Sequence, residues 1–286
     1  MKAKLKEKKV VIAASAPSVD VAVLHCRAGR PSKQRADHVV REEPLEIRVL
    51  GRSVAVTMRT PGHDEELAAG FLLSEGIIHK KSDVVEIAYC QRGGAARFQN
   101  TLNAFLAPSV QVDFDRLTRN MFASSSCGIC GKASIESVHQ HFDPVASNVT
   151  LSIDEIIRLP EKLRAAQKTF AKTGGLHAAA IFDARGKLVV VREDVGRHNA
   201  VDKVTGFGLL HNLLPFENHV LLVSGRASFE IMQKSLAARV PIVCAVSAPS
   251  SLAVEFARES GQTLIGFLRG DSMNIYSHPH RITGCG

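Results

Sequence analysis

The residues best suited to chemistry are two thiols three positions apart, in Ser124-Ser125-Ser126-Cys127-Gly128-Ile129-Cys130-Gly131. They precede a predicted helix over 132–142, in which Ile135, Val138 and Phe142 share one face. A thiol at a helix N-terminus lies near unpaired N–H groups and the positive end of the helix dipole. Both favour the thiolate, which is the nucleophilic form. Gly128 and Gly131 permit close backbone approach, and the three serines are too small to shield Cys127. Cys127 therefore reads as a reactive sulfur nucleophile assisted by Cys130. Three other readings compete. A structural zinc site needs four ligands, yet no second CxxC or close His pair follows, and His139 and His141 suit opposite faces of a helix. A thioredoxin-like redox pair needs a preceding strand in a βαβ unit, whereas residues 118–122 look helical or irregular. An inert buried pair fits poorly with flanking glycines and serines.

A second group of polar residues falls where predicted strands end. One strand runs into Arg192-Glu193-Asp194-Val195-Gly196-Arg197-His198-Asn199, another into Ser224-Gly225-Arg226-Ala227-Ser228-Phe229-Glu230. Two more run into Ser247-Ala248-Pro249-Ser250-Ser251 and Arg269-Gly270-Asp271-Ser272-Met273-Asn274. In an open α/β sheet, ligands bind outside the carboxyl ends of the strands. Helix N-termini carrying serine and glycine bind anions, and Arg197, Arg226 and Arg269 suit bidentate phosphate contacts. Four such loops on one edge favour a phosphate-bearing ligand. No Walker A motif is present, and no GxGxxG opens a helix after a strand. A zinc nucleobase deaminase uses H-x-E with P-C-x-x-C. Here His177-Ala178-Ala179 has alanine in place of the acid, and Ser126 precedes the CxxC, so deamination is disfavoured. His177 reads either as a group that orients a ligand or as a hydrogen-bonded core histidine.

The elements that must position these residues fall into two units. Residues 42–115 read as a small α+β unit: a hairpin over 45–58, a helix opened by Thr60-Pro61-Gly62-His63-Asp64, and strands over 84–89 and 98–106. Residues 116–150 read as a linker with a mobile CGxC loop and its following helix. From Ser152, a serine cap ahead of Asp154 and Glu155 starts a helix, and Pro160 breaks or restarts it. The order ββαβαβαβ that follows, over 178–268, implies an α/β domain across 151–286, with a mainly parallel sheet covered by helices on both faces.

At 286 residues the chain is long enough for two domains. Its net charge of +8 is unevenly spread. Residues 1–41 hold 10 Lys and Arg against 3 Asp and Glu, while the remainder holds 26 against 25. The body is thus close to neutral, which argues against a nucleic-acid-binding fold. Residues 1–41, with linker-like Ala28 to Lys33, read as a flexible basic tail. No apolar run approaches a membrane span, and the run from Val10 to Ala16 is too short for a signal peptide. Six irregularly spaced cysteines do not make a disulfide framework, so a cytoplasmic location is expected.

Taken together, these motifs resemble the FdhD family of formate dehydrogenase accessory sulfurtransferases. The residues that carry the resemblance are Glu43 to Val49, Glu66 to Leu72 with Glu75 to Ile78, Ser124 to Gly131, and Thr173 to Gly175 with His177. Arg192 to Lys203, Ser224 to Glu230, Ser247 to Ala253 and Gly266 to Tyr276 complete it, so that it spans about residues 42–280. The resemblance implies a larger C-terminal three-layer α/β/α domain similar to cytidine deaminases, without their zinc, beside a smaller N-terminal α+β domain. It implies sulfur transfer from a cysteine desulfurase to the molybdenum cofactor, a bis-molybdopterin guanine dinucleotide destined for the formate dehydrogenase apoenzyme, with no resident metal. It puts the persulfide on Cys127 and the second motif cysteine at Cys130. Its cofactor-contacting stretch falls on Gly266, Phe267, Leu268, Arg269, Gly270 and Asp271, to which the strand-end reading adds Arg226, Ser247 and His177. A homodimer is expected from the resemblance alone, and no nucleic-acid or membrane partner is expected. A protein that only binds and delivers the cofactor is the alternative, and a zinc-dependent hydrolase a third reading.

Overall fold

The structure, a computed structural model, describes residues 16–90, 99–114 and 142–284. Strands β1 (Ser18–Arg27) and β2 (Arg30–Val40) pair antiparallel as a two-stranded sheet of their own, turning at Gly29 with φ 73°. Within the stretch read from sequence as a flexible tail, residues 18–40 are therefore ordered as a two-stranded ribbon. Val19, Val21 and Val23 alternate along β1, but Arg30 to Arg35 on β2 offer no matching apolar set, so the pairing left no two-sided pattern to read.

Strands β3 (Glu43–Val49) and β4 (Arg52–Arg59) form the expected hairpin. Leu50 and Gly51 both have positive φ, 50° and 83°, as a tight two-residue hairpin turn requires. Helix α1 (Asp64–Ser74) follows, with three acidic residues in its first turn, where the helix dipole favours them. Strands β5 (Val84–Tyr89) and β6 (Thr101–Leu106) complete a four-stranded sheet in the order β4-β3-β6-β5.

The larger unit starts at β7 (Leu151–Ser152), where the Ser152 Oγ accepts the Glu155 N–H at 3.3 Å. Helices α2 (Ile153–Ile156) and α3 (Leu159–Ala166) are divided ahead of Pro160, as expected, and a further break at Gln167 separates α4 (Lys168–Thr173). Then come β8 (His177–Asp183), β9 (Leu188–Asp194), α5 (Arg197–Leu210), β10 (His219–Val223), α6 (Phe229–Ala237), β11 (Ile242–Ala245), α7 (Ser251–Glu259) and β12 (Thr263–Arg269). Strands β13 (Ser272–Ser277) and β14 (Ile282–Thr283) end the described chain.

The central sheet runs β13-β12-β11-β10-β8-β9. Only β10·β11 and β11·β12 are parallel neighbours; β8 lies antiparallel between β9 and β10, and β13 antiparallel at one edge. The expected mainly parallel sheet is thus a mixed one. The cause is local: β8 and β9, like β12 and β13, are joined by tight turns, and tight turns pair strands antiparallel.

Alternate strand residues serve different cores. Ile181, Leu221, Val223, Val243 and Leu264 face the core shared with α5, α6, α7 and the smaller unit. Phe182, Val220, Leu222, Ile242 and Ile265 face Leu151, Ile156, Leu159 and Leu163 on the other side. Helices do cover both faces, but one side also receives the smaller unit, through α1 packed on α5. There a Cβ on Gly70 would fall 1.9 Å from the Asp202 carbonyl oxygen, and one on Gly206 would fall 1.8 Å from that of Glu66. No side chain fits at either point. Gly70→Ala and Gly206→Ala are each expected to lower stability by roughly 1–3 kcal/mol, the usual range for overpacking. Urea unfolding measures this, and unchanged midpoints in both variants would refute the close approach.

Candidate functional site

Because β8 runs against its neighbours, its first residue, His177, comes to the same edge as the last residues of β9 to β12. Backbone bonds hold the loops of that edge in fixed order. The Ser224 N–H donates to the Ala178 carbonyl at 2.9 Å, and the Ala178 N–H donates to the Ser224 Oγ at 2.9 Å. The Ser247 N–H donates to the Gly225 carbonyl at 3.3 Å, and the Phe267 N–H to the Ser247 carbonyl at 3.1 Å. Between them, the Ala227 N–H reaches the Ala248 carbonyl at 3.2 Å and the Ser250 N–H the Ala227 carbonyl at 3.0 Å. His177, Ser224, Gly225, Ser247 and Phe267 thus succeed one another along one rigid rim.

At one end of the rim, His177 and Ser224 line a cavity of about 350 Å³ with Gln167, Phe170, Gly174, Gly175 and Leu176. Burial, and then the nearby charge of Arg197, hold the His177 imidazole below its ordinary pKa. His198, in the first turn of α5, is more deeply buried, and burial pushes its pKa down to about 4. Its Nε2 lies 3.1 Å from the Ser228 Oγ and 3.4 Å from a Glu230 carboxylate oxygen. Glu230 favours the protonated ring, but burial together with Arg197, Lys234 and His177 outweighs it.

At the other end, the register of β12 against β13 shifts between Gly266 and Arg269. Phe267 takes φ 52° there, in the left-handed region that non-glycine residues rarely adopt. A Cβ on Gly266 would lie 2.8 Å from Pro249 Cδ and 3.0 Å from Tyr276 Cε2, so glycine alone lets this bulge settle on the neighbouring loop. Arg269, Gly270 and Asp271 form the exposed turn, Gly270 has φ 59°, and the Arg269 guanidinium lies 5.3 Å from the Phe267 ring centre. Leu268 is fully buried in the opposite core, so neither its side chain nor its backbone is open to a ligand. Arg226 is exposed beside Gly225, and Ser247 is half-buried. Cys127 and Cys130 lie outside the described residues, as does Cys285.

The polar cluster Arg192 to Asn199, with Lys203 one turn further along α5, divides between two faces. Asp194, Asn199 and Lys203 face the smaller unit. The Lys203 ammonium lies 2.7 Å from Asp194, with both side chains buried, and donates to the Thr60 carbonyl at 2.9 Å. The Thr60 N–H returns to Asp194 at 3.1 Å, and the Asn199 amide donates to the Met58 carbonyl at 2.8 Å. Arg192 forks onto Glu66 at 2.5 and 2.7 Å. Arg197 and His198 instead face the rim. Sequence reading gave the seam no role; its signal was the i, i+4 placement of Asn199 and Lys203 on a helix beginning just after Asp194. Among the described residues no cluster of three or more His, Cys, Asp or Glu is arranged to hold a metal, and no helix is long and apolar enough to cross a membrane.

Residues 40–283 match the model of the FdhD/NarQ family. A protein of Mycolicibacterium paratuberculosis named sulfur carrier protein FdhD is 54% identical over 264 residues, covering 91% of this chain and 97% of its own. A protein of the same name from Sulfurisphaera tokodaii is 45% identical over 249 residues, covering 86% and 92%. A crystal structure from Desulfotalea psychrophila, of a protein provisionally assigned as a formate dehydrogenase accessory protein, superposes with a TM-score of 0.76 at 26% identity, covering 93% of this chain and all of that one.

The buried neutral His198 links stability to pH. Its unfolded pKa lies near 6.5 and its folded pKa near 4, so the unfolded chain binds the extra proton between those values. Its contribution is complete above pH 6.5 and is lost as the pH falls towards 4. His198→Gln is expected to make unfolding free energy less dependent on pH across that window, by at most about 1.4 kcal/mol per pH unit. Urea titrations at several pH values measure the slope, and equal slopes for wild type and variant would contradict the buried neutral ring.

Proposed function

The chain belongs to the FdhD/NarQ family, and from that membership we propose that it is a sulfur carrier in formate dehydrogenase maturation. Cys127 carries sulfur as a persulfide from a cysteine desulfurase to the molybdenum cofactor, a bis-molybdopterin guanine dinucleotide. The single observation behind this reading is the Cys127-Gly128-Ile129-Cys130 pair, which falls inside the matched region 40–283, in a chain 54% identical to a named sulfur carrier.

The chemistry is thiolate exchange. The Cys127 thiolate attacks the outer sulfur of the desulfurase persulfide. That S–S bond breaks, the desulfurase cysteine leaves as thiolate, and Cys127 holds the sulfane sulfur. For release, the Cys130 thiolate attacks the Cys127 sulfur and forms a disulfide. The outer sulfur leaves with its electron pair as hydrosulfide, which the cofactor, as substrate, receives. A cellular dithiol then reduces the disulfide and resets the pair. The protein is in this sense a sulfurtransferase.

The stitched rim supports the acceptor side of the reading. Its loops present Gly225 and Ser247 partly exposed, with Arg226 and Arg269 exposed beside them, which suits a large phosphate-bearing cofactor. The larger unit serves as a cytidine-deaminase-like frame without zinc chemistry. A cytoplasmic homodimer completes this reading. The rim also favours the alternative of a binding chaperone, in which the cysteines carry nothing.

Intact-protein mass spectrometry separates the two. After incubation with a cysteine desulfurase and cysteine, wild type is expected to gain about 32 Da, one sulfur atom, reversibly with reductant. Cys127→Ala should show no gain while still binding guanine nucleotide. Equal gain in both proteins, or none in wild type, would sink the carrier reading, and the second result would favour the chaperone.

A further inference from the structure

The chain carries a half-buried cation for which the described residues supply no counter-ion. Arg197 is the first residue of α5, and its Nε is buried with no hydrogen-bond partner. Three carboxylates lie near it in the chain or across the rim, and each is engaged elsewhere. Asp194 is held by Lys203, the Gly196 N–H at 2.8 Å and the Asn199 amide at 3.0 Å. Glu193 accepts the Thr169 and Phe170 N–H groups at 2.9 and 2.7 Å. Glu230 pairs with His198 at 3.4 Å and Lys234 at 3.9 Å. A buried N–H without a partner is costly, so this arrangement is at its most stable when an anion from solution sits against the guanidinium.

Two further features converge on the same place. The N-cap of the fourteen-residue α5 is Gly196, which has no side chain to cap the first turn. The first intrahelical acceptor is used by Ala200, whose N–H meets the Gly196 carbonyl at 3.0 Å. The N–H groups of Arg197, His198 and Asn199 are thus left for another acceptor, at the positive end of the dipole. Across the rim, the space above Gly225 is bordered by the His177 ring and the Arg197 side chain. A Cβ placed there would lie 3.4 Å from His177 Nδ1 and 3.8 Å from Arg197 Cδ. Those are ordinary contact distances, so the Gly225 backbone, the imidazole and the arginine side chain lie side by side.

We infer that Arg197, His177 and the first turn of α5 form a seat above Gly225 for a phosphate group of a phosphate-bearing ligand. The forked guanidinium binds two phosphate oxygens, the helix N–H groups bind the remainder, and His177 adds a donor. Arg197, rather than exposed Arg226 or Arg269, provides the main cation. This deepens the preceding reading, and the identity of the ligand as the molybdenum cofactor rests on it; the seat itself rests on the charges and geometry above.

Binding to the full chain is measured by calorimetry with three probes: inorganic pyrophosphate, GDP and guanosine. Arg197→Gln is expected to weaken pyrophosphate and GDP by roughly ten- to hundredfold, the loss of a charge-assisted hydrogen bond, and to leave guanosine unchanged. Arg185→Gln, at the exposed turn on the opposite edge of the sheet, should bind all three as wild type does. In an NMR titration of His177, which faces Arg197, Asp194 and His198, bound pyrophosphate should raise the imidazole pKa in wild type and not in Arg197→Gln. Arg197→Lys, which keeps the charge and loses the fork, provides a second variant if Arg197→Gln does not fold; it should lose part of the affinity. Wild-type affinity for pyrophosphate in the folded Arg197 variants, or no pyrophosphate binding by wild type, overturns the seat. Weakened GDP with unchanged pyrophosphate also overturns it, since the arginine would then contact the nucleoside. Sulfur uptake by Cys127, measured on the same proteins, reads the carrier function separately.

Discussion

Helices α1 and α5 meet backbone to backbone. At Gly70 and Gly206 each helix presses against a carbonyl of the other, at a separation that no side chain tolerates. Such an approach removes the usual layer of interdigitating side chains, so polar groups beside it must be satisfied within the contact itself. The structure does this with buried ion pairs. Lys234 lies 2.9 Å from both oxygens of Asp202, which also accepts from the Ser74 hydroxyl at 3.0 Å. Lys203 joins Asp194 to the Thr60 backbone. Breaking a buried pair by removing one partner typically costs about 3–5 kcal/mol, so the seam tolerates little change in either the glycines or the charges.

The seam explains why one helix has two jobs. The flank of α5 holding Asn199, Lys203 and Gly206 faces the smaller unit, while its first turn, Arg197 and His198, opens onto the rim. The same contacts that fix the two units together therefore fix the rim residues on α5. Asp194 is the hinge of this arrangement: it ends β9, ties the Gly196 N–H before α5, and is held from the far side by Thr60 and Lys203. Any ligand seated at the rim is read by groups whose positions depend on the smaller unit, even though that unit contributes no strand to the central sheet.

Charge at the rim follows from what the seam consumes. The carboxylates beside the start of α5, Glu193, Asp194 and Glu230, are spent on Lys203, Lys234, His198 and backbone N–H groups, and Arg197 is left over. Local electrostatics then favour anions although the folded body is close to neutral in net charge. His198, kept neutral by burial, adds no positive charge of its own at neutral pH.

Much of this was legible in the chain before folding. The alternation along 45–58, the glycines at tight turns, the serine cap at Ser152 and the polar ends of the strands are local signals, and local geometry follows them. The gathering of Ser224, Ser247 and Gly266 to Asp271 on one edge followed from strand direction alone. Sheet order did not: that β8 enters between β9 and β10, and brings His177 to the rim, depends on pairings between strands far apart in sequence. The β1–β2 ribbon stayed hidden because only one of its strands carries an apolar pattern. The burial of Leu268 and the division of Arg192 to Lys203 between seam and rim were decided by tertiary packing, because exposure depends on what lies opposite. Which charges are neutralised, and which remain for a ligand, was decided in the same way. A sequence fixes the type and spacing of its ionic groups, but their partners are assigned only when distant segments meet.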